Sequence, residues 1–337
     1  MHHIWKQVSK AHFGRLIYSA YIAVPNLPNM KRRNFMQSSL LAGASLLAGN
    51  AVKANIAGKP AGDKIAGKPF NLNYGIHDGM FKNHAGDDFI NQIKFAYDQG
   101  FRAIEDNGMS GRPVEQQKKI GDTLAKLGMG MGVFVQPGLS NDGNMLATGK
   151  SDQVDNFIKS CTQAVEVAKR INSKLVTVVP GDFQRNLPIG IQMGNVIEAI
   201  KKGVAVLEPH GIVMVLEPLS DNPNLFLRTP DQGFEICKAV GSPSCKILYD
   251  MYHVQRNQGN ILPTLDWASD EIGYYQVGDN PGRNEPGTGE INYKNIFKHI
   301  YNKGYKGVVG MEHGIAGKGK AGELALIQAY READSFL

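Results

Sequence analysis

The sequence predicts an α/β chain folded as a closed (β/α)8 TIM barrel. Eight short apolar runs alternate with amphipathic segments, near 70–76, 102–106, 129–135, 174–180, 212–217, 245–250, 272–277 and 307–312. The runs are rich in β-branched and aromatic residues and mostly lack polar alternation. Strands buried on both faces read this way. The third observation is length: 268 residues follow position 69, enough for eight strand–helix units.

The intervening segments carry the helical period. Asp88 can cap a helix that turns Phe89, Ile93 and Ala96 inward and stops at Gly100. Val154, Phe157, Cys161 and Ala164 share one face, as do Ile197, Ile200, Val204 and Leu207. Asn292 precedes a helix with Ile296 and Ile300 inward that ends near Gly304, and Leu324 and Ile327 mark the last helix. Alternating units imply a parallel sheet with helices outside. A doubly wound open sheet is the competing architecture, but no Gly-rich turn follows the first strand.

The folded part is preceded by two segments of different character. Residues 1–54 hold seven Lys or Arg and no Asp or Glu. The whole chain has a net charge of +6, but without this leader 30 basic residues face 31 acidic ones. The basic excess is therefore no footprint of nucleic acid. A basic stretch from Lys31, a short apolar run from Ser38 to Gly49 and small residues around Lys53 describe a secretory signal. Arg32-Arg33 followed by Phe35 resembles a twin-arginine signal, which implies the twin-arginine export machinery as a partner and a periplasmic location. The apolar run is too short for a membrane anchor. Met30 precedes the pattern and can serve as the start, with no folded role expected for 1–29. Residues 55–69 repeat Ile-Ala-Gly-Lys-Pro twice and read as a flexible linker, leaving 70–337 as the barrel. Three cysteines, Cys161, Cys237 and Cys245, exclude a disulfide scaffold and read as small core groups.

In a barrel, chemistry belongs at the C-terminal ends of the strands. Four consecutive runs stop at a polar residue there: Glu217, Asp250, Gln276 and Glu312. Three carboxylates in one low-dielectric mouth repel each other, and a cation relieves that repulsion. An oxygen-only set suits Mg²⁺ or Mn²⁺ and accepts Co²⁺ or Zn²⁺ less selectively. The competing reading is that barrel ends are polar because they meet solvent. Glu105 and His77 end the second and first runs and face the same mouth. His253 lies three residues after Asp250, and Arg283 can grip a substrate carboxylate or hydroxyl. Glu285 is placed to orient Arg283, and Glu290 to pair within its loop. Asp182 follows the fourth run without separating ligand from loop. Gly317 to Gly322 satisfies G-x-G-x-x-G, as a mobile loop or as an anion site at the last helix. No P-loop, G-x-S-x-G, C-x-x-C or H-E-x-x-H occurs.

From residue 70 to about 314 the chain resembles the xylose-isomerase-like barrel superfamily, specifically its hydroxypyruvate isomerase group. The likeness rests on Val215 to Pro218, Tyr249 to Gln255, Gln276 to Asp279, Pro281 to Tyr293, and Met311-Glu312. It implies one divalent metal ion held by Glu217, Asp250, Gln276 and Glu312. It also implies Glu217 and Glu312 as the catalytic pair moving a proton through an enediolate. His253, Arg283 and His77 would then meet a small hydroxy-carbonyl substrate, hydroxypyruvate-like or a keto sugar, and Glu105 would touch it or support the residues that do. Relatives often pair, which leaves a homo-oligomer open. Three other readings compete: an exported keto-sugar hydratase or lyase using the same metal site, an apurinic-site endonuclease-like phosphodiesterase, and a non-catalytic sugar-binding protein. The export reading is checked by fractionation: Arg32→Lys/Arg33→Lys is expected to leave the chain in the cytoplasm, and undiminished export would discard it.

Overall fold

The computed structural model describes residues 67–138 and 144–337. The leader, the twin-arginine reading and linker residues 55–66 lie outside the described residues. The chain divides after Pro60, and the fold is that of the C-terminal unit.

All eight expected strands form: β1 (Asn73–Ile76), β2 (Ala103–Ile104), β3 (Gly130–Met131), β4 (Leu175–Val178), β5 (Val213–Leu216), β6 (Cys245–Asp250), β7 (Ile272–Gln276) and β8 (Val308–Gly310). They pair in parallel in the order β3-β2-β1-β8-β7-β6-β5-β4. Among the described residues, one parallel bridge between Val135 and Thr177 joins the two ends of that order. There the Thr177 N–H donates to the Phe134 carbonyl at 2.9 Å and the Gln136 N–H to the Thr177 carbonyl at 3.1 Å. The sheet is thus curled and closed, which no open doubly wound sheet is.

The helices follow as expected: α1 (Lys82–Ala85), α2 (Phe89–Asp98), α3 (Val114–Leu127), α4 (Ser151–Ile171), α5 (Ile189–Leu207), α6 (Pro230–Val240), α7 (Met251–Asn257), α8 (Ile261–Ala268), α9 (Tyr293–Asn302) and α10 (Gly319–Ala333). Asp88 caps α2, its Oδ1 accepting from the Ile90 N–H at 3.0 Å. Asn292 likewise caps α9. Gly128 ends α3 in the left-handed region that glycine enters without strain. No helix among the described residues is long and apolar enough to cross a membrane.

Period-two alternation along the strands sorts the core into two parts. One buries the outward strand residues, such as Tyr74, Val176, Met214 and Tyr249, under helix residues such as Phe157, Ile200 and Tyr330. The smaller part, Val133, Val215, Leu248 and Tyr274, fills the barrel interior.

Three details differ from the sequence reading. On α5, Val196 is fully buried along with Ile200 and Leu207, while Ile197 is only partly covered. Leu324 is 53% exposed, while Glu323 beside it is buried. The Glu323 carboxylate accepts from the Asn83 and His84 backbone N–H groups at 2.7 and 3.1 Å and pairs with His84 Nδ1, tying α1 to α10. Residues 67–69, expected in the linker, are fastened to the barrel. The Gly67 N–H donates to the Asp98 carbonyl at 2.9 Å, and Arg331 donates to the Lys68 carbonyl at 2.8 Å. All three cysteines are buried and free. Burial pushes the Cys161 thiol up to about 12, so it stays protonated at neutral pH.

The last residues clasp the first strand. Asp334 accepts from the Asn71 N–H at 2.6 Å and from the Tyr74 hydroxyl at 2.9 Å, and its own carbonyl accepts from the Asn71 amide at 2.8 Å. Asp334→Ala leaves the buried Tyr74 hydroxyl without this acceptor. It is expected to cost about 1–3 kcal/mol, read as a lower urea midpoint at unchanged slope.

Candidate active site

The inward-facing interior residues place the site by simple alternation. Val215, Leu248 and Tyr274 point into the barrel, so the residues two further on, Glu217, Asp250 and Gln276, point the same way at its C-terminal rim. Asp250 lies in register with Gln276 on β7, and Gln276 with Gly310 on β8. Glu312 follows β8 by two residues, on the inward side again.

Asp250 also opens α7, accepting from the Tyr252 N–H at 2.8 Å. That cap swings His253, one turn along, over the same spot. Glu217, Asp250, His253 and Glu312 each offer an atom to a cluster whose members all lie within 4.8 Å of one another. His253 Nε2 stands 3.4 Å from Asp250 Oδ2 and 3.8 Å from Glu217 Oε1. Arg283 reaches in from the β7 loop, with Nη2 donating to Glu312 Oε2 at 2.9 Å and Asp250 Oδ2 at 3.2 Å. The same nitrogen lies 3.2 Å from His253 Nε2. On its other side the ring's Nδ1 accepts from the Ser220 backbone N–H at 3.3 Å and lies 2.7 Å from Ser220 Oγ. Burial pushes the His253 pKa down against the pull of Asp250, which keeps the ring neutral. An imidazole whose Nε2 stands among these carboxylates can offer a nitrogen to the same cluster. The sequence reading assigned it to substrate alone.

Burial, and then the charges of Glu312 and Asp250, push the Glu217 carboxyl well above its ordinary range. The same withdrawal from water, with Asp250 beside it, lifts Glu312 to about 8, while Arg283 pulls the other way. Glu217 Oε1 and Gln276 Oε1 are buried without a hydrogen-bond partner. Two orphaned oxygens, two further carboxylates and a neutral imidazole form a set that a divalent cation satisfies. The residues present fit such an ion.

Glu105 lies deeper, fully buried. Its Oε2 accepts from the Tyr274 hydroxyl at 2.6 Å, and its Oε1 from the Gln276 amide at 2.9 Å. His77 Nε2 meets the same Oε1 at 2.5 Å. With both oxygens engaged, Glu105 supports the residues of the mouth instead of meeting a substrate directly, the second of the two roles open to it. It reaches the mouth only through Gln276 and His77. Two glycines make room for it. A Cβ on Gly310 would overlap Glu105 Oε2, and one on Gly132 would overlap the Tyr274 hydroxyl. His77 does line the mouth, in a cavity of about 360 Å³ with Asn107, Arg283, Glu312 and His313. Burial pushes the His313 pKa down to about 4, so this ring too is neutral at pH 7.

Several partners were not legible in the sequence. Asn107 donates to Glu312 Oε1 at 2.7 Å from a loop with no motif. Ser220 fixes the His253 ring from another. Tyr274 reads as an ordinary strand aromatic. Glu285 does not orient Arg283. Its Oε2 accepts from the Ala316 N–H at 2.9 Å, bracing the β7 loop against the β8 loop. Glu290 accepts from Asn280 within its loop and also from Gln255 on α7. Gly317 packs directly on Gly322, where a Cβ on either would overlap the other's backbone. The glycine spacing thus serves close packing at the start of α10.

The profile of the xylose isomerase-like TIM barrel family matches residues 93–332, and the chain belongs to that family. Among its relatives, the hydroxypyruvate isomerase of Escherichia coli (strain K12) is 29% identical over 234 residues, covering 67% of this chain and 88% of that protein. The 2-oxo-tetronate isomerase of Pectobacterium atrosepticum is 26% identical over 237 residues, covering 69% and 89%. Among solved structures, a family 2 AP endonuclease from Brucella melitensis superposes with a TM-score of 0.66 at 23% identity, covering 74% of this chain and 96% of that one. The 3-keto-D-glucoside 4-epimerase from E. coli does so with a TM-score of 0.65 at 17% identity, covering 78% and 98%. These superpositions establish the shared fold.

The glycine socket yields a stability test. Gly310→Ala forces the Glu105–Tyr274 pair apart and is expected to cost about 1–3 kcal/mol as overpacking, seen as a lower melting temperature. An unchanged melting temperature would mean that the pair can move aside freely.

Proposed function

We propose that the chain is a divalent-metal-dependent isomerase or epimerase. Its substrate is a small hydroxy-carbonyl compound, a hydroxypyruvate-like acid or a keto sugar, and its reaction is proton transfer through an enediolate. One observation carries the reading: Glu217 and Glu312, from β5 and β8, bring their carboxylates to one cluster with Asp250 between them. The named activities of the hydroxypyruvate and 2-oxo-tetronate isomerase relatives support the same class.

Glu217, Asp250, Gln276 and Glu312 would hold the ion, with His253 adjacent. Their oxygens suit Mn²⁺ or Mg²⁺, with Co²⁺ or Zn²⁺ as less selective substitutes. When bound, the cation supplies positive charge opposite the oxygens of the forming enediolate. One of Glu217 and Glu312 takes the proton α to the carbonyl, and the other returns one to the adjacent carbon or to the opposite face. Arg283 holds a substrate oxygen or carboxylate in place, and His253 steadies a neighbouring hydroxyl. His77 and Asn107 line the approach. The leader adds to this proposal that the enzyme works in the periplasm, after twin-arginine export, on small molecules met outside the cytoplasm.

The test follows α-hydrogen exchange with deuterated water by NMR, across ordinary and oxidised monosaccharides and hydroxypyruvate. With Mn²⁺ added, exchange is expected. Glu217→Gln or Glu312→Gln is expected to reduce it about a hundredfold or more. Full exchange in excess chelator, or in both variants, would falsify the proposal. Loss of water from the substrate would replace isomerisation with the hydratase or lyase reading.

A further inference from the structure

The buried Glu105–Tyr274 pair takes no part in the proton transfer above, yet the barrel is built around it. Gly132 and Gly310 supply the space it occupies. Glu105 is fully buried, and three side chains, His77 after β1 and Tyr274 and Gln276 on β7, converge on its two oxygens. Such a carboxylate accepts on every side, so the end of the Gln276 amide that faces it must be the NH₂ group. The amide oxygen is thereby turned away from Glu105, and that oxygen is the buried atom left without a partner.

We propose that Glu105, braced by Tyr274, is a positioning residue that sets the Gln276 amide with its oxygen presented to the cation site. An amide is ambivalent: flipped by half a turn it would aim two N–H donors at the ion and repel it. Glu105 removes that choice, and the Tyr274 hydroxyl holds the Glu105 carboxylate in place. This rests on the proposed metal site and assigns the part that Glu105 and Tyr274 play in it.

The experiment measures Mn²⁺ affinity of the full chain by calorimetry and by the EPR signal of free Mn²⁺, independently of turnover. Outer partners of this kind typically change metal affinity by about 10–100-fold. Glu105→Gln offers the amide a partner in either orientation and is expected to weaken binding by about tenfold or more. Tyr274→Phe keeps every charge and is expected to weaken it several-fold. The exchanged pair Glu105→Gln/Gln276→Glu restores an N–H donor facing an oxygen ligand. It is expected to recover most of the lost affinity, which a merely structural role for Glu105 would not produce. Parent affinity in Glu105→Gln or in Tyr274→Phe overturns the proposal, as does an exchanged pair no better than Glu105→Gln. If Glu105→Gln does not fold, Tyr274→Phe and the exchanged pair decide it alone. A parent chain that binds no Mn²⁺ sinks both this inference and the proposed function. Normal Mn²⁺ behaviour with no hydrogen exchange sinks only the function.

Discussion

Negative charge that has been brought together out of water governs this molecule. Asp250, Glu217 and Glu312 share one rim, and burial magnifies their repulsion beyond what water would allow. Every feature nearby answers that repulsion. Arg283 bonds two of the three carboxylates, Asp250 accepts from the Tyr252 N–H at the start of α7, and Asn107 supports Glu312. The fold tolerates the arrangement because eight paired strands fix each backbone and leave the side chains nowhere else to go.

The rim divides into two kinds of work. The β5 to β8 side carries the groups that can hold an ion and move a proton. Glu105, from the β2 side, is buried and spends its carboxylate on neighbours. A support of this kind acts through geometry, since it can fix which atom of Gln276 faces the centre without meeting any reactant. Neutral imidazoles at His253 and His313 fit the same division, because a charged ring in either place would compete with a cation.

Much of this was legible beforehand, for a physical reason. Glu217, Asp250 and Gln276 could be read because strand alternation is local: an apolar run that ends on a polar residue shows which way that residue points. The closed barrel followed from the same repetition. What stayed hidden depends on what lies across the barrel. Alternation puts Glu105 inward but cannot say that Tyr274 stands opposite it, so substrate contact and support from behind could not be told apart. Gly132 and Gly310 carry no signal as a pair until their strands are seen to face one cavity. Ser220 and Asn107 come from loops, where spacing implies no direction. Leu324 was conspicuous as an apolar residue, yet the helical phase of α10 buries Glu323 instead.

The Val135–Thr177 bridge has a bearing on where the molecule can give. Elsewhere neighbouring strands share ladders of two to four register pairs, but among the described residues β4 meets the segment after β3 at this one backbone bridge, with the Ser173 hydroxyl donating to the Gly132 carbonyl nearby. The wall therefore has a seam, and it lies away from β5 to β8. A strain imposed on the cylinder would be relieved at that seam first. The half that carries the charged rim would keep its spacing while the other half breathes.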